Sequence, residues 1–151
     1  MRTRTLSPTD QLALRNCAKQ ELERLEQLME NQKTIQLLDE FKNQFNICET
    51  IYKVILKKHQ ECKGKASYLK ITMTQAPHAL KFAGYSFDRT LLNELFGASS
   101  NNGRTVKKLR DAVTHGIDQN AVNEIIARKD ELFGYMDSFI SEIRSFDCVA
   151  A

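Results

Sequence analysis

The sequence predicts an all-α protein, an up-and-down helical bundle with long N-terminal helices, a middle broken into short helices and a long C-terminal helix. Three observations predict it. Glycine (six) and proline (two) are scarce in 151 residues, so the chain has few turns to spend on short strands. Apolar residues recur at steps of three and four over long stretches, which places them on one face of a helix. Helix starts and stops punctuate the chain at the intervals such a bundle needs. One domain over residues 1–151 is expected, since a chain of this length buries roughly 70% of its extended surface in a single core.

The elements follow in order. Ser7 is placed to cap a helix and Pro8 suits its first position. Leu14, Ala18, Leu22, Leu25 and Met29 then form one stripe, with Asn31 as the expected end. A second helix is predicted from about Thr34 to Gln60, where Leu38, Phe41, Phe45, Cys48, Tyr52 and Ile55 alternate steps of three and four. That spacing favours helices packed at a small crossing angle. Cys62-Lys63-Gly64-Lys65 reads as the exit. A short helix is expected from about Gln75 to Gly84, and another, capped by Asp88, over Arg89–Phe96 and stopped by Gly97. The run from Ala98 to Gly103 is the clearest loop. A helix from Arg104 carries Val106, Leu109, Ala112 and Val113 inward, and His115-Gly116 ends it with Gly116 as a left-handed cap. Asp118 opens the last helix, whose predicted stripe is Val122, Ile126, Phe133, Met136, Ile140 and Ile143, with Lys129 at its polar step.

Composition narrows the function classes. Hydrophobic residues make up 42% and charged residues 27%, as in an ordinary globular protein. No apolar run of about 18 residues suggests a membrane span, and Met1-Arg2-Thr3-Arg4 lacks the apolar segment of a secretory signal. A cytoplasmic protein without a membrane partner is the expectation. Cys17, Cys48, Cys62 and Cys148 show no CxxC spacing, so reduced and mostly buried thiols are expected, with no metal site and no cofactor. Net charge is only +3, but it is unevenly spread. Residues 53–70 carry +5 and 104–111 carry +3, whereas 21–40 and 118–142 carry −4 each. The lysines at 53, 57, 58, 63, 65 and 70 suit either an RNA track or a solvated face. His59 and His78 have no partners at metal spacing, and the four tyrosines do not cluster as they do on a base-stacking sheet.

Chemistry concentrates in Arg104-Thr-Val-Lys-Lys-Leu-Arg-Asp-Ala-Val-Thr-His115-Gly116. At about 100° per residue, Lys107, Arg110, Asp111 and Thr114 share a flank and His115 lies at its edge in the last turn. Arginine offers a planar fork of donors to phosphate oxygens. Histidine moves protons near neutrality, and a helix C-terminus favours its charged form. Asp111 is placed to orient Arg110, with Thr114 as a further accessory group. Arg104, Lys107 and Lys108 would attract phosphate.

Arg110-Asp111 followed by His115, within "LRDAVTHG", resembles the signature of the HEPN superfamily: Arg, a polar residue, three further residues, then His. The resemblance is tight over residues 104–117 and loose, through the helical pattern, elsewhere. It implies a metal-independent endoribonuclease that uses the RNA 2′-hydroxyl as nucleophile and leaves a cyclic phosphate. Arg110 and His115 would be catalytic, in a composite site at a homodimer interface. It further implies a setting in phage defence, abortive infection or toxin–antitoxin pairing, with an antitoxin or larger defence protein as a further partner. Members silenced by adenylylation carry Tyr two residues after the His. Ile117 stands there, so that mode of control is not implied. The alternative is a catalytically inactive HEPN-like module for dimerisation or for binding a protein, nucleotide or RNA. A helical DNA-binding regulator is a third reading, disfavoured because no compact helix precedes residue 104 at the spacing a helix-turn-helix needs.

Overall fold

A computed structural model describes residues 5–62, 64, 76–98, 100, 102–115 and 118–146. Expectations that fall on Lys63, Lys65, Tyr68, Lys70, Gly116, Ile117 and Cys148 lie outside these residues. The described residues form an all-α bundle without strands: α1 (Pro8–Cys62), α2 (Ala76–Phe82), α3 (Arg89–Phe96), α4 (Val106–Thr114), α5 (Gln119–Ala127) and α6 (Lys129–Ser145). The chain divides into two compact units, Met1–Leu37 and Leu38–Ala151.

The first unit contains the start of α1. Ser7 Oγ accepts a hydrogen bond from the Asp10 N–H at 3.1 Å, and Asp10 Oδ2 accepts from the Ser7 N–H at 3.2 Å. This reciprocal cap satisfies the first orphan donors and leaves Pro8 at the first helical position, as expected. The expected break at Asn31 does not occur, because α1 continues to Cys62. Asn31 ends nothing here, since no Gly or Pro follows it and its side chain accepts from Gln27 Nε2 at 3.0 Å along the helix surface. The sequence reads as two helices because its apolar pattern changes phase. At about 100° per residue, the stripe of residues 14–29 and that of residues 38–55 differ by about 150°. The stripe at Leu14, Ala18, Leu22, Leu25 and Met29 is solvent-exposed throughout.

The second unit holds the core. Phe41, Phe45, Cys48, Tyr52 and Leu56 of α1 are buried there, together with Leu92, Leu95 and Phe96 of α3 and Val106 and Leu109 of α4. Ala121, Val122 and Ile125 of α5 and Leu132, Met136 and Phe139 of α6 complete it. Phe96 is its aromatic centre, stacked on Tyr52 at 4.2 Å between centroids and meeting Phe139 edge-on at 5.6 Å. Aromatic pairs in these geometries add to the stabilisation from burial. α3 packs on α4 and α6, α4 on α5, and α5 on α6. Asp88 caps α3 by accepting from the Thr90 N–H, Gly97 closes it, and Asp118 caps α5 by accepting from the Ala121 N–H.

The predicted last helix is two helices, divided at Arg128. Its buried stripe is Val122, Ile125, Leu132, Met136 and Phe139, whereas Ile126 is 46% exposed. The predicted stripe thus ran largely one residue late, with Lys129 at the polar step that Arg128 occupies. Apolar residues on adjacent faces made both registers legible. A charged residue can occupy the inner step because its guanidinium is paired. Arg128 Nη1 donates to the Arg104 carbonyl at 2.8 Å and to Glu124, and Nε donates to Glu131 at 3.0 Å.

The expectation of mostly buried thiols is corrected as well. Cys17 and Cys62 are exposed on α1 because they fall outside the core-facing positions. Cys48 alone among the described cysteines is buried. Burial pushes its pKa up to about 12, and its Sγ–H donates to the Met136 carbonyl. No described helix is long and apolar enough to cross a membrane.

Candidate active site

The site is built on α4. Thr105, fully buried, caps the helix: its Oγ1 accepts from the Lys108 N–H at 3.3 Å and donates to the Gly97 carbonyl at 2.8 Å. The cap ties the start of α4 to the end of α3. Val106 and Leu109 are then driven into the core, which sets the rotation of the helix. Lys107 and Lys108 consequently face solvent, and Arg110 lies at the edge of the buried surface.

Arg110 does not point freely outward. Its Nη1 and Nη2 donate to Glu49 Oε1 and Oε2 at 3.2 and 3.0 Å, a bidentate pair with a residue of α1. Its Nε donates to Asp111 Oδ1 at 2.9 Å, and its guanidinium carbon lies 4.7 Å from the Phe45 ring centre. These bonds use three of the five guanidinium N–H donors. Burial pulls the Arg110 pKa down, and the bonds to Glu49 and Asp111 more than reverse this, so it stands above the usual arginine value. Lys53 reaches Glu49 from one helical turn on, at 3.5 Å. The cluster of Arg110, Lys53, Glu49 and Asp111 is therefore electrically neutral, with two charges of each sign.

His115 caps the C-terminus of α4. Its backbone N–H donates to the Asp111 carbonyl at 3.1 Å, and the residue is exposed. Thr114 is exposed, with its hydroxyl spent on the Arg110 carbonyl at 2.7 Å. Arg110, midway along α4, and His115, at its C-cap, thus come from one short helix, but no hydrogen bond joins their side chains among the described residues.

Arg104, expected to attract phosphate, is placed differently. It precedes α4 and is engaged by two carboxylates, with Nη1 donating to Asp118 Oδ2 at 2.9 Å and Nε to Glu124 Oε1 at 3.1 Å. Its backbone N–H also donates to Glu124 Oε2 at 2.9 Å. With Arg128, Glu131 and Tyr135, whose hydroxyl donates to Glu131 at 2.6 Å, these residues form a clasp that fastens the loop before α4 to α5 and α6. The Asp118 bond raises the Arg104 pKa, and the same bond holds the Asp118 carboxyl below its ordinary value.

Sequence reasoning missed Glu49 and Glu94. Glu49 follows Cys48 on a polar flank of α1, with nothing in its neighbours to mark a partner 61 residues away. Glu94 is buried in α3, where it accepts from the Ser100 hydroxyl. A carboxylate between Leu92 and Leu95 on the short α3 was the available signal. No described group of three His, Cys, Asp or Glu side chains is gathered as metal ligands would be. No protein-family model, curated protein or solved structure matches the chain.

Proposed function

We propose that the chain is a metal-independent endoribonuclease of HEPN type whose active site is completed by a second copy. The observation that carries this reading is that one short helix, α4 with its C-cap, bears both a positioned arginine and a solvent-facing histidine. Arg110, held by Glu49 and Asp111, would present its remaining donors to the scissile phosphate and stabilise the charge that develops there. His115 would take the proton from the RNA 2′-hydroxyl or give one to the leaving 5′-oxygen. The 2′-oxygen bonds to phosphorus as the P–O5′ bond breaks, which leaves a 2′,3′-cyclic phosphate and a free 5′-hydroxyl. Because the nucleophile belongs to the RNA, positioning and charge supply the rate. One chain offers one Arg110–His115 set without a bond between them, which favours a site shared by two protomers. Lys107 and Lys108 would add phosphate attraction. Arg104, already paired twice, would serve the fold instead.

The test is cleavage of single-stranded RNA with chelator present, comparing the unaltered protein with His115→Ala and Arg110→Lys. Loss of cleavage in both, with cyclic phosphate ends from the unaltered protein, supports the reading. Equal cleavage by all three sinks it.

One observation favours a second reading, a non-catalytic module. The Glu49 carboxylate occupies the two terminal nitrogens that a phosphate would engage, and the cluster is neutral. In that case the Arg110–Glu49 pair fastens α4 to α1, and the protein neither cleaves RNA nor loses partner binding when His115 is replaced.

A further inference from the structure

We propose that the first unit is a self-association arm, in which residues 12–33 of α1 pair antiparallel with the same segment of a second copy. The stripe at Leu14, Leu22, Leu25 and Met29 is 45–59% exposed, and Ala18 among them is exposed too. At about 100° per residue these five side chains fall within an arc of about 80°. An exposed apolar stripe of this kind on a helix is a partner surface more than a solvated one.

The order of residues on the stripe identifies a second copy as the partner. Read backwards, the stripe nearly repeats itself. Setting Leu14 against Met29 of the copy sets Ala18 against Leu25 and brings the two Leu22 side chains together at the centre. Ala18 then meets Leu25, small against large, in the two layers that flank the central Leu22 pair. Most of the charges agree. In this register Arg15 lies within about two residues, or 3 Å along the axis, of the levels of Glu26 and Glu30 in the copy, and Lys19 within about two of Glu26. The two copies of Glu21 meet near the centre, one like-charge contact, with Arg24 bonded to Glu21 on each helix. A parallel pair would instead bring Glu21 of one helix beside Glu26 of the other, flanking positions whose like charges repel. The segment is about three heptads long, near the lower limit that sustains a coiled coil, so the association is concentration-dependent.

This surface uses other residues than Arg110 and His115 and needs no RNA chemistry. The experiment is the mass of the full chain by sedimentation over a concentration series. Leu22→Glu/Leu25→Glu is expected to need at least about tenfold more protein to reach the same mean mass, a shift of about 1.4 kcal/mol. Asn16→Glu/Gln20→Glu, on the far side of the helix, is expected to match the unaltered chain, and circular dichroism should report the same helix content in all three. Orientation is read with Cys17, Cys62 and Cys148 replaced by serine. Against that background, oxidation should cross-link Leu22→Cys but not Leu14→Cys, whose copies lie about 22 Å apart in the antiparallel register. Identical masses for the Leu22→Glu/Leu25→Glu variant and the unaltered chain, or equal cross-linking at both positions, would overturn the proposal. A chain that cleaves no RNA but loses mass in the Leu→Glu variant keeps the arm and loses the ribonuclease reading.

Discussion

Glu49 determines how substitutions at Arg110 must be interpreted. Arg110→Ala would strand a partly buried carboxylate and is expected to cost about 2 kcal/mol of stability, measured by urea unfolding. Lost activity in that variant alone would confuse folding with chemistry. His115 is the cleaner probe, because it is exposed and contributes to α4 mainly through its backbone. His115→Ala should change stability by no more than about 0.5 kcal/mol. Glu49→Gln tests the phosphate-binding role of Arg110 directly. Removing the competing negative charge is expected to tighten binding of single-stranded RNA at low salt, with a steeper salt dependence, as read by fluorescence anisotropy. Unchanged affinity and slope would mean that Arg110 is a structural cation. The rotation of α4 was legible in the sequence, since Val106 and Leu109 turn inward and leave Lys107 and Lys108 facing solvent. The occupancy of Arg110 was not, because Glu49 approaches from α1 and periodicity within one helix carries no information about a neighbour.

At the scale of elements, the clasp around Glu124 fastens the loop that leads into α4. Gly103, at φ 129°, lies against it, and a Cβ there would sit 2.6 Å from Glu124 Oε2 and 2.9 Å from Arg128 Nη1. Gly103→Ala is therefore expected to destabilise by about 1–3 kcal/mol, through both backbone strain and displacement of the pair, measured by thermal unfolding. The clasp also predicts acid sensitivity. Burial pushes the Glu124 carboxyl up, but the bonds from Arg104 and Arg128 outweigh it and hold it below its ordinary value. The Arg104 bond lowers Asp118, and the Arg128 bond lowers Glu131. Depressed carboxyl groups contribute stability that is fully present above their unfolded values, about 4.5 for glutamate, and lost as pH falls through the lower folded values. Stability should thus decline below about pH 4.5, and less steeply in Arg104→Met than in the unaltered chain. Caps at Asp88 and Asp118 could be read from sequence because capping is local. The division of α5 from α6 could not, because no Gly or Pro marks Arg128, whose side chain is paired with the distant loop before α4.

At the scale of the whole chain, the all-α class followed from scarce turn residues and long apolar periods, and Phe41, Phe45, Cys48 and Tyr52 of the predicted stripe are buried, whereas Leu38 and Ile55 are half-buried and Leu56 takes the last core position. The continuity of α1 did not follow, because a change in stripe phase within one helix looks like a boundary between two. The core of the second unit rests on aromatic contacts that converge on Phe96 and Phe139. Phe139→Ala is expected to cost about 3–5 kcal/mol and to abolish any activity together with the fold. The ribonuclease reading rests elsewhere, on an exposed imidazole that the fold does not need. The most direct test is therefore the cleavage of single-stranded RNA in the presence of chelator by the unaltered chain and by His115→Ala at matched stability. The proposed chemistry predicts cleavage with cyclic phosphate ends by the unaltered chain and its loss in the variant. Equal cleavage by the two proteins, or none by the unaltered chain as a dimer, would contradict it.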